Sequence, residues 1–175
     1  MASEQVQKET TEGHHGTYLA HALRIVAEGF RIIPNPLQYW GDGIYFYESG
    51  EQDAIEWAEK RRARERSSDK IAVILSVIEL GDCLDLDQQA HRELVLEMRN
   101  HLIKQGVPEN TITDAVAINA LADVLKTDTV RVKRDAVYGA KKLFPGSHLF
   151  GHVYLILCVR NLQRILSSVI CYRES

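Results

Sequence analysis

The sequence predicts an α+β domain whose sheet is mixed and mostly antiparallel, with helices on its flanks. Three observations predict it. Ile71 to Leu80 is an almost unbroken run of β-branched and apolar residues, the pattern of a buried strand. Two further apolar runs, Val153 to Val159 and Ile165 to Tyr172, close the chain. Helical patterns concentrate in the first three quarters, and no regular strand–helix–strand repeat joins them.

Residues 1–12 are polar and charged and are expected to form a flexible N-terminal arm, ahead of one domain spanning 13–175. Gly13 to Thr17 leads into a helix with Leu19, Ala22, Leu23, Val26 and Ala27 on one apolar face and Gly29 just past its end. Phe30, Ile32 and Ile33 resume an extended run, which Pro34-Asn35-Pro36 breaks into a loop reaching Gly41. Ile44 to Tyr47 reads as a short strand and 51–66 as a helix with Ala54, Ile55, Trp57 and Ala58 on its apolar side. Arg61, Arg62, Arg64 and Arg66 suit the negative end of that helix dipole and read as a solvated helix end. Leu84 and Leu86 alternate with Asp85 and Asp87. Residues 88–105 form a helix with Ala90, Leu94, Met98 and Leu102 inward. Asn110 or Thr113 caps another, through Ala117, Ala120, Leu121, Val124 and Leu125. Val130 and Val132 alternate with Arg131 and Lys133, as in a half-exposed strand.

Composition excludes several classes. The 175 residues are 45% hydrophobic and 26% charged, enough for one core without disulfides or metal. A net charge of −3 and a pI near 6.2 argue against a dedicated nucleic-acid binder with a basic face. Cys83, Cys158 and Cys171 form no C-x-x-C and read as reduced thiols. The N-terminus lacks an apolar signal core, and no apolar run approaches the ~20 residues of a membrane span. The expectation is a soluble cytoplasmic protein, with no membrane and no metal.

Two blocks carry chemistry. His14-His15-Gly16-Thr17 sets an imidazole, a bare backbone and a hydroxyl side by side, and Gly41-Asp42-Gly43-Ile44-Tyr45-Phe46-Tyr47 sets a glycine turn ahead of an aromatic strand. His15 can donate to a ribose hydroxyl. Gly16 admits a planar amide to its backbone. Thr17 adds a hydroxyl, the Gly43 turn brings a second segment close, and Tyr45 can lie on a flat heterocycle. A carboxamide grip plus a stacking ring suits nicotinamide. Each block alone is an ordinary loop or core aromatic. Together, around a helix ending Glu28-Gly29-Phe30, they are far more specific.

His15-Gly16-Thr17, the helix to Gly29-Phe30 and Gly41-Asp42-Gly43-Ile44-Tyr45-Phe46 resemble the ADP-ribosyltransferase superfamily, in its poly(ADP-ribose) polymerase and diphtheria-toxin branch. The likeness is tight over 13–58 and one of layout over 71–175. It implies an ADP-ribosyltransferase-like fold with NAD+ as substrate. His15 would bind the ribose, Gly16 the amide, and Tyr45 the nicotinamide ring. The reaction would cleave the bond to nicotinamide and pass ADP-ribose to a macromolecular acceptor, protein or nucleic acid. The size and the resemblance suggest an intracellular toxin or defence protein.

The chain departs from that family at two places. Asp53 and Glu56 stand where polymerase-type members carry a serine and a tyrosine, with Trp57 nearby to replace the missing ring. The family's late-strand glutamate is absent from His152 to Val159. His152, Tyr154 and Ile156 share a face there, and Tyr154 is expected to hold the third catalytic position beside His15 and Tyr45. Members without the glutamate transfer a single unit or are inactive, so the resemblance implies a mono-ADP-ribosyltransferase. Glu79 is a second candidate for the missing acid, and Glu48 is expected at a solvent-facing strand end. The loop Lys141 to Ser147 would meet the acceptor by the resemblance, or be a plain Pro145-Gly146 turn. Two alternatives stand beside this reading: an RNA 2′-phosphotransferase, with arginines lining the pocket, and a binding module for NAD+ or ADP-ribose without turnover.

Overall fold

The computed structural model describes residues 8–35, 38–48, 50–135, 144–145, 147 and 151–175. Its strands are β1 (Thr10–Tyr18), β2 (Ile44–Tyr47), β3 (Ile71–Glu79), β4 (Cys83–Asp85), β5 (Thr129–Asp135), β6 (Val153–Val159) and β7 (Ile165–Arg173). Its helices are α1 (Leu19–Glu28), α2 (Glu51–Glu65), α3 (Gln89–Lys104) and α4 (Asp114–Leu125). The strands form one sheet in the order β4-β5-β6-β2-β1-β3-β7. Only β4 with β5 is parallel among the paired strands, so the sheet is mixed and mostly antiparallel, as expected. No helix among the described residues is long and apolar enough to cross a membrane.

Register assigns the two faces. Thr17 and His15 lie opposite Ala72 and Ile74, which pack with Ala22 under α1. Tyr18 lies opposite Ile71, and both pack with Ala58 of α2 on the other face. That second face continues into Tyr45, Tyr47, Ile156 and Cys158, whose far side is roofed by Ile118 and Leu121 of α4. The middle of the sheet, over β2 and β6, therefore lies between α2 on one flank and α3 with α4 on the other.

Thr10 to Glu12, expected in the arm, belong to a strand. β1 starts at Thr10, because Thr10 to Glu12 find pairing partners in Glu79, Ile78 and Val77. Gly13 to Thr17 belongs to the same strand; its residues lack an apolar alternation, and the ladder to β3 holds them extended.

Three helix faces also differ. α1 packs through Leu19, Ala22 and Ile25, leaving Leu23 and Val26 exposed. α3 uses Val95 and Met98 against the core, with Leu94 exposed. α4 buries Ala117, Ile118, Leu121 and Ala122 while Val124 and Leu125 face out. Each helix carries more apolar residues than one face accommodates, and its neighbours choose the face. Thr113 is the α4 cap, its hydroxyl accepting the Val116 N–H. Val130 and Val132 are buried under α4 while Arg131 is partly exposed and Lys133 exposed, the half-exposed strand that the alternation predicts.

Candidate functional site

Two strands that should pair part company at the centre of the sheet. β1 pairs with β3 along its whole length, but with β2 only at His14 opposite Tyr47. Hydrogen bonds from Leu19 N–H to the Lys70 carbonyl at 2.8 Å and from Leu80 N–H to the Glu9 carbonyl at 2.9 Å fix the phase of the β1–β3 ladder. Odd-numbered residues of β1 thus bond β3, and even-numbered ones turn their N–H and C=O toward β2. Gly16 is even-numbered. It directs a donor and an acceptor into the gap, level with Tyr45.

The ring of His15 closes the gap from the α1 side. Its Nδ1 lies 2.8 Å from the Tyr45 carbonyl oxygen. A carbonyl only accepts, so Nδ1 carries the proton and Nε2 of the neutral ring is an acceptor. The imidazole, expected as a hydrogen-bond donor, is thus an acceptor at its free nitrogen. Phe30 meets the ring edge-on at 5.4 Å. Burial lowers the imidazole pKa below 6.5, against the raising effect of the Tyr45 carbonyl.

The unfolded chain therefore binds more protons here just below pH 6.5 than the folded chain does. This contribution to stability is complete above that pH and is lost as pH falls toward the lowered folded value. Urea melts of the parent and of His15→Asn between pH 5 and 7.5 check it. The variant should lose less stability on acidification.

Gly16 and Gly43 are glycines for packing reasons as well. A Cβ on Gly16 would lie 1.9 Å from the Ala54 carbonyl oxygen of α2, and one on Gly43 would lie 2.5 Å from Cys158 Sγ. The Gly41-Asp42-Gly43 turn is pinned to α4. Asn119 Oδ1 accepts the Asp42 N–H at 2.8 Å, and its amide donates to the Asp42 carboxylate at 3.1 Å. Thr17 is 3% exposed on the α1 face, on the same side as His15.

Tyr45 anchors the loop ahead of it. Its hydroxyl donates to the Gly41 carbonyl at 2.7 Å and accepts the Trp40 N–H at 3.0 Å. Burial, reinforced by the neighbouring Cys158, holds the phenol far above its usual range, so it stays a neutral O–H. The Cys158 thiol is itself pushed up to about 12 by burial, which makes it a poor nucleophile. Tyr45→Phe strips both partners from the loop and should cost about 1–2 kcal/mol in chemical denaturation, with the ring unmoved.

A second cluster stands beside Tyr45 on the same face. The Tyr47 and Tyr154 rings are 5.7 Å apart. His152 meets Tyr154 edge-on at 4.5 Å, and its Nε2 is 2.8 Å from Asp53 Oδ1 in α2. Arg134, opposite Tyr154 in β5, lies under Tyr39 at 5.4 Å and near Trp40 at 6.0 Å. Burial, followed by Tyr154 and Asp53, pushes the Tyr47 phenol up to about 12. Tyr47, Arg134 and the Asp53–His152 contact are absent from the sequence-derived site. The period of two that puts Tyr45 and Tyr47 on one face was available to find Tyr47.

Other candidates fall elsewhere. Trp57 is 44% exposed and faces Arg64 at 5.9 Å. Glu48 is not solvent-facing: its side chain is 4% exposed, held by Arg131 Nε at 2.8 Å and Thr11 Oγ1 at 2.7 Å. Arg131 reaches it from β5, across β6. Glu79 is tied to Arg164 and, at 3.1 Å, to Lys8, and it pairs with Thr10 at the far end of β1 from Gly16. Of the expected acceptor loop, Lys141, Lys142, Leu143 and Gly146 lie outside the described residues. An apolar groove of about 460 Å³ between α3 and α4, lined by Val95, Leu96 and Ile112, meets this region only at Trp40.

No protein-family model matches the chain, and no curated protein does. Among solved structures, the M. tuberculosis MbcT-MbcA toxin-antitoxin complex is similar over 93% of this chain and 85% of that one, with 16% identity and a TM-score of 0.45.

Proposed function

We propose that the chain is a mono-ADP-ribosyltransferase that takes NAD+ as substrate. The observation that carries this reading is the gap between β1 and β2. There the N–H and C=O of Gly16 face outward together, matching the acceptor and donor of a carboxamide. Tyr45 borders the same gap and supplies a ring for nicotinamide. His15, held by the Tyr45 carbonyl, offers Nε2 to a ribose hydroxyl. Arg134 supplies the positive charge that a diphosphate needs at the rim. The protein's work is positioning: it holds the C1′–N1 bond where charge can build on the ribose as nicotinamide leaves.

The phosphotransferase alternative needs arginines in the pocket. Arg134 serves either reading, but those of α2 are directed elsewhere: Arg61 to Glu65, Arg62 to Glu174 and Arg64 to Trp57.

Incubation with labelled NAD+ and with total protein and RNA tests the reading. Nicotinamide release with labelled acceptor, abolished in His15→Ala and Tyr45→Ala, supports it. Binding without release leaves a binding module. Phosphate removal from 2′-phosphorylated RNA favours the phosphotransferase.

A further inference from the structure

We infer that His152, oriented by Asp53, is the base that activates the acceptor in this reaction, in the role that an acid on the late strand would otherwise fill. The inference rests on the transferase reading above. Its footing is the geometry around α2 and β6.

Asp53 sits in the first turn of α2, where the helix dipole favours a negative charge, and its side chain is only 4% exposed. The side chain of His152 is 50% exposed and meets it through Nε2 at 2.8 Å. A carboxylate buried that deeply costs desolvation, and a hydrogen bond to a half-exposed ring returns little stability. The arrangement does, however, fix a ring. With Nε2–H held by the carboxylate, Nδ1 of the neutral imidazole keeps its lone pair. The ring is further set by the edge of Tyr154 at 4.5 Å.

The pair also stands beside the proposed nicotinamide grip. Asp53 precedes Ala54, whose carbonyl covers Gly16. Tyr154 faces Tyr47, the residue where β1 and β2 last pair.

The step balances without a further reagent. As the C1′–N1 bond breaks, its electron pair goes to the ring nitrogen and nicotinamide leaves neutral. An acceptor oxygen, of a macromolecule or of water, bonds C1′ and gives its proton to His152 Nδ1, which releases it to solvent. His152 touches the acceptor and is catalytic; Asp53 is a positioning residue.

The test is nicotinamide release from NAD+ by the full chain, with water alone and with total protein and RNA as acceptors. His152→Ala should lower kcat about 100-fold while KM for NAD+ changes less than about twofold. Added imidazole should restore about tenfold of the loss. Asp53→Asn should lower kcat about tenfold, again with KM held, and Asp53→Glu should recover part of it. Circular dichroism of each variant, and His152→Gln beside His152→Ala, separate chemistry from folding. An active parent whose His152 variants keep full kcat, or lose it without imidazole rescue, overturns the inference alone. A parent that releases no nicotinamide overturns the transferase reading, and the inference with it.

Discussion

Gly16→Ala is expected to lower stability by about 3 kcal/mol and the melting temperature by roughly 6–12 °C. The new methyl would stand 1.9 Å from the Ala54 carbonyl oxygen, 2.8 Å from its carbon and 3.3 Å from Ala58 Cβ. A carbonyl inside a helix cannot rotate aside as a side-chain tip can. α2 would have to move as a body, and Ala54 and Ala58, 0% and 2% exposed, would leave their seats against the sheet. Asp53 would move with them, away from His152. The glycine thus serves two ends: its missing side chain lets α2 pack close, and its backbone faces the gap. Thermal melts check the first, and a melting point within 2 °C of the parent would sink the packing argument.

How much of this was legible beforehand differs by level. The strands β3, β6 and β7 announce themselves, since long β-branched runs have few other ways to be buried. β1 does not. Gly13, His14, His15 and Gly16 carry no hydrophobic alternation, and a partner strand distant in sequence holds them extended. The helices are legible but their inward faces are not, because Leu23, Leu94 and Val124 compete with the residues that do pack. In the candidate site, the meeting of His15, Gly16 and Tyr45 could be read because they lie in two short blocks of unusual order. Asp53 with His152 could not. One is a helix residue, the other precedes a late strand, and no spacing rule connects them; only the sheet order, with β6 next to β2, brings them together.

His15→Asn should reduce nicotinamide release at least about 100-fold while leaving the fold intact. The asparagine amide sits where Nδ1 sits and can still donate to the Tyr45 carbonyl, the bond that measures 2.8 Å in the parent. What it cannot supply is a group at Nε2. His15→Ala loses both, and should also be destabilised by about 1–2 kcal/mol, since the Tyr45 carbonyl loses its donor at a partly buried site. The two variants therefore separate two functions of one ring. Equal losses of turnover, with stability lost only in His15→Ala, assign the ribose contact to Nε2. An asparagine variant that turns over NAD+ at the parental rate would reduce His15 to a clamp between β1 and β2. Recognition of the ribose would then have to come from the Tyr47 side of the gap.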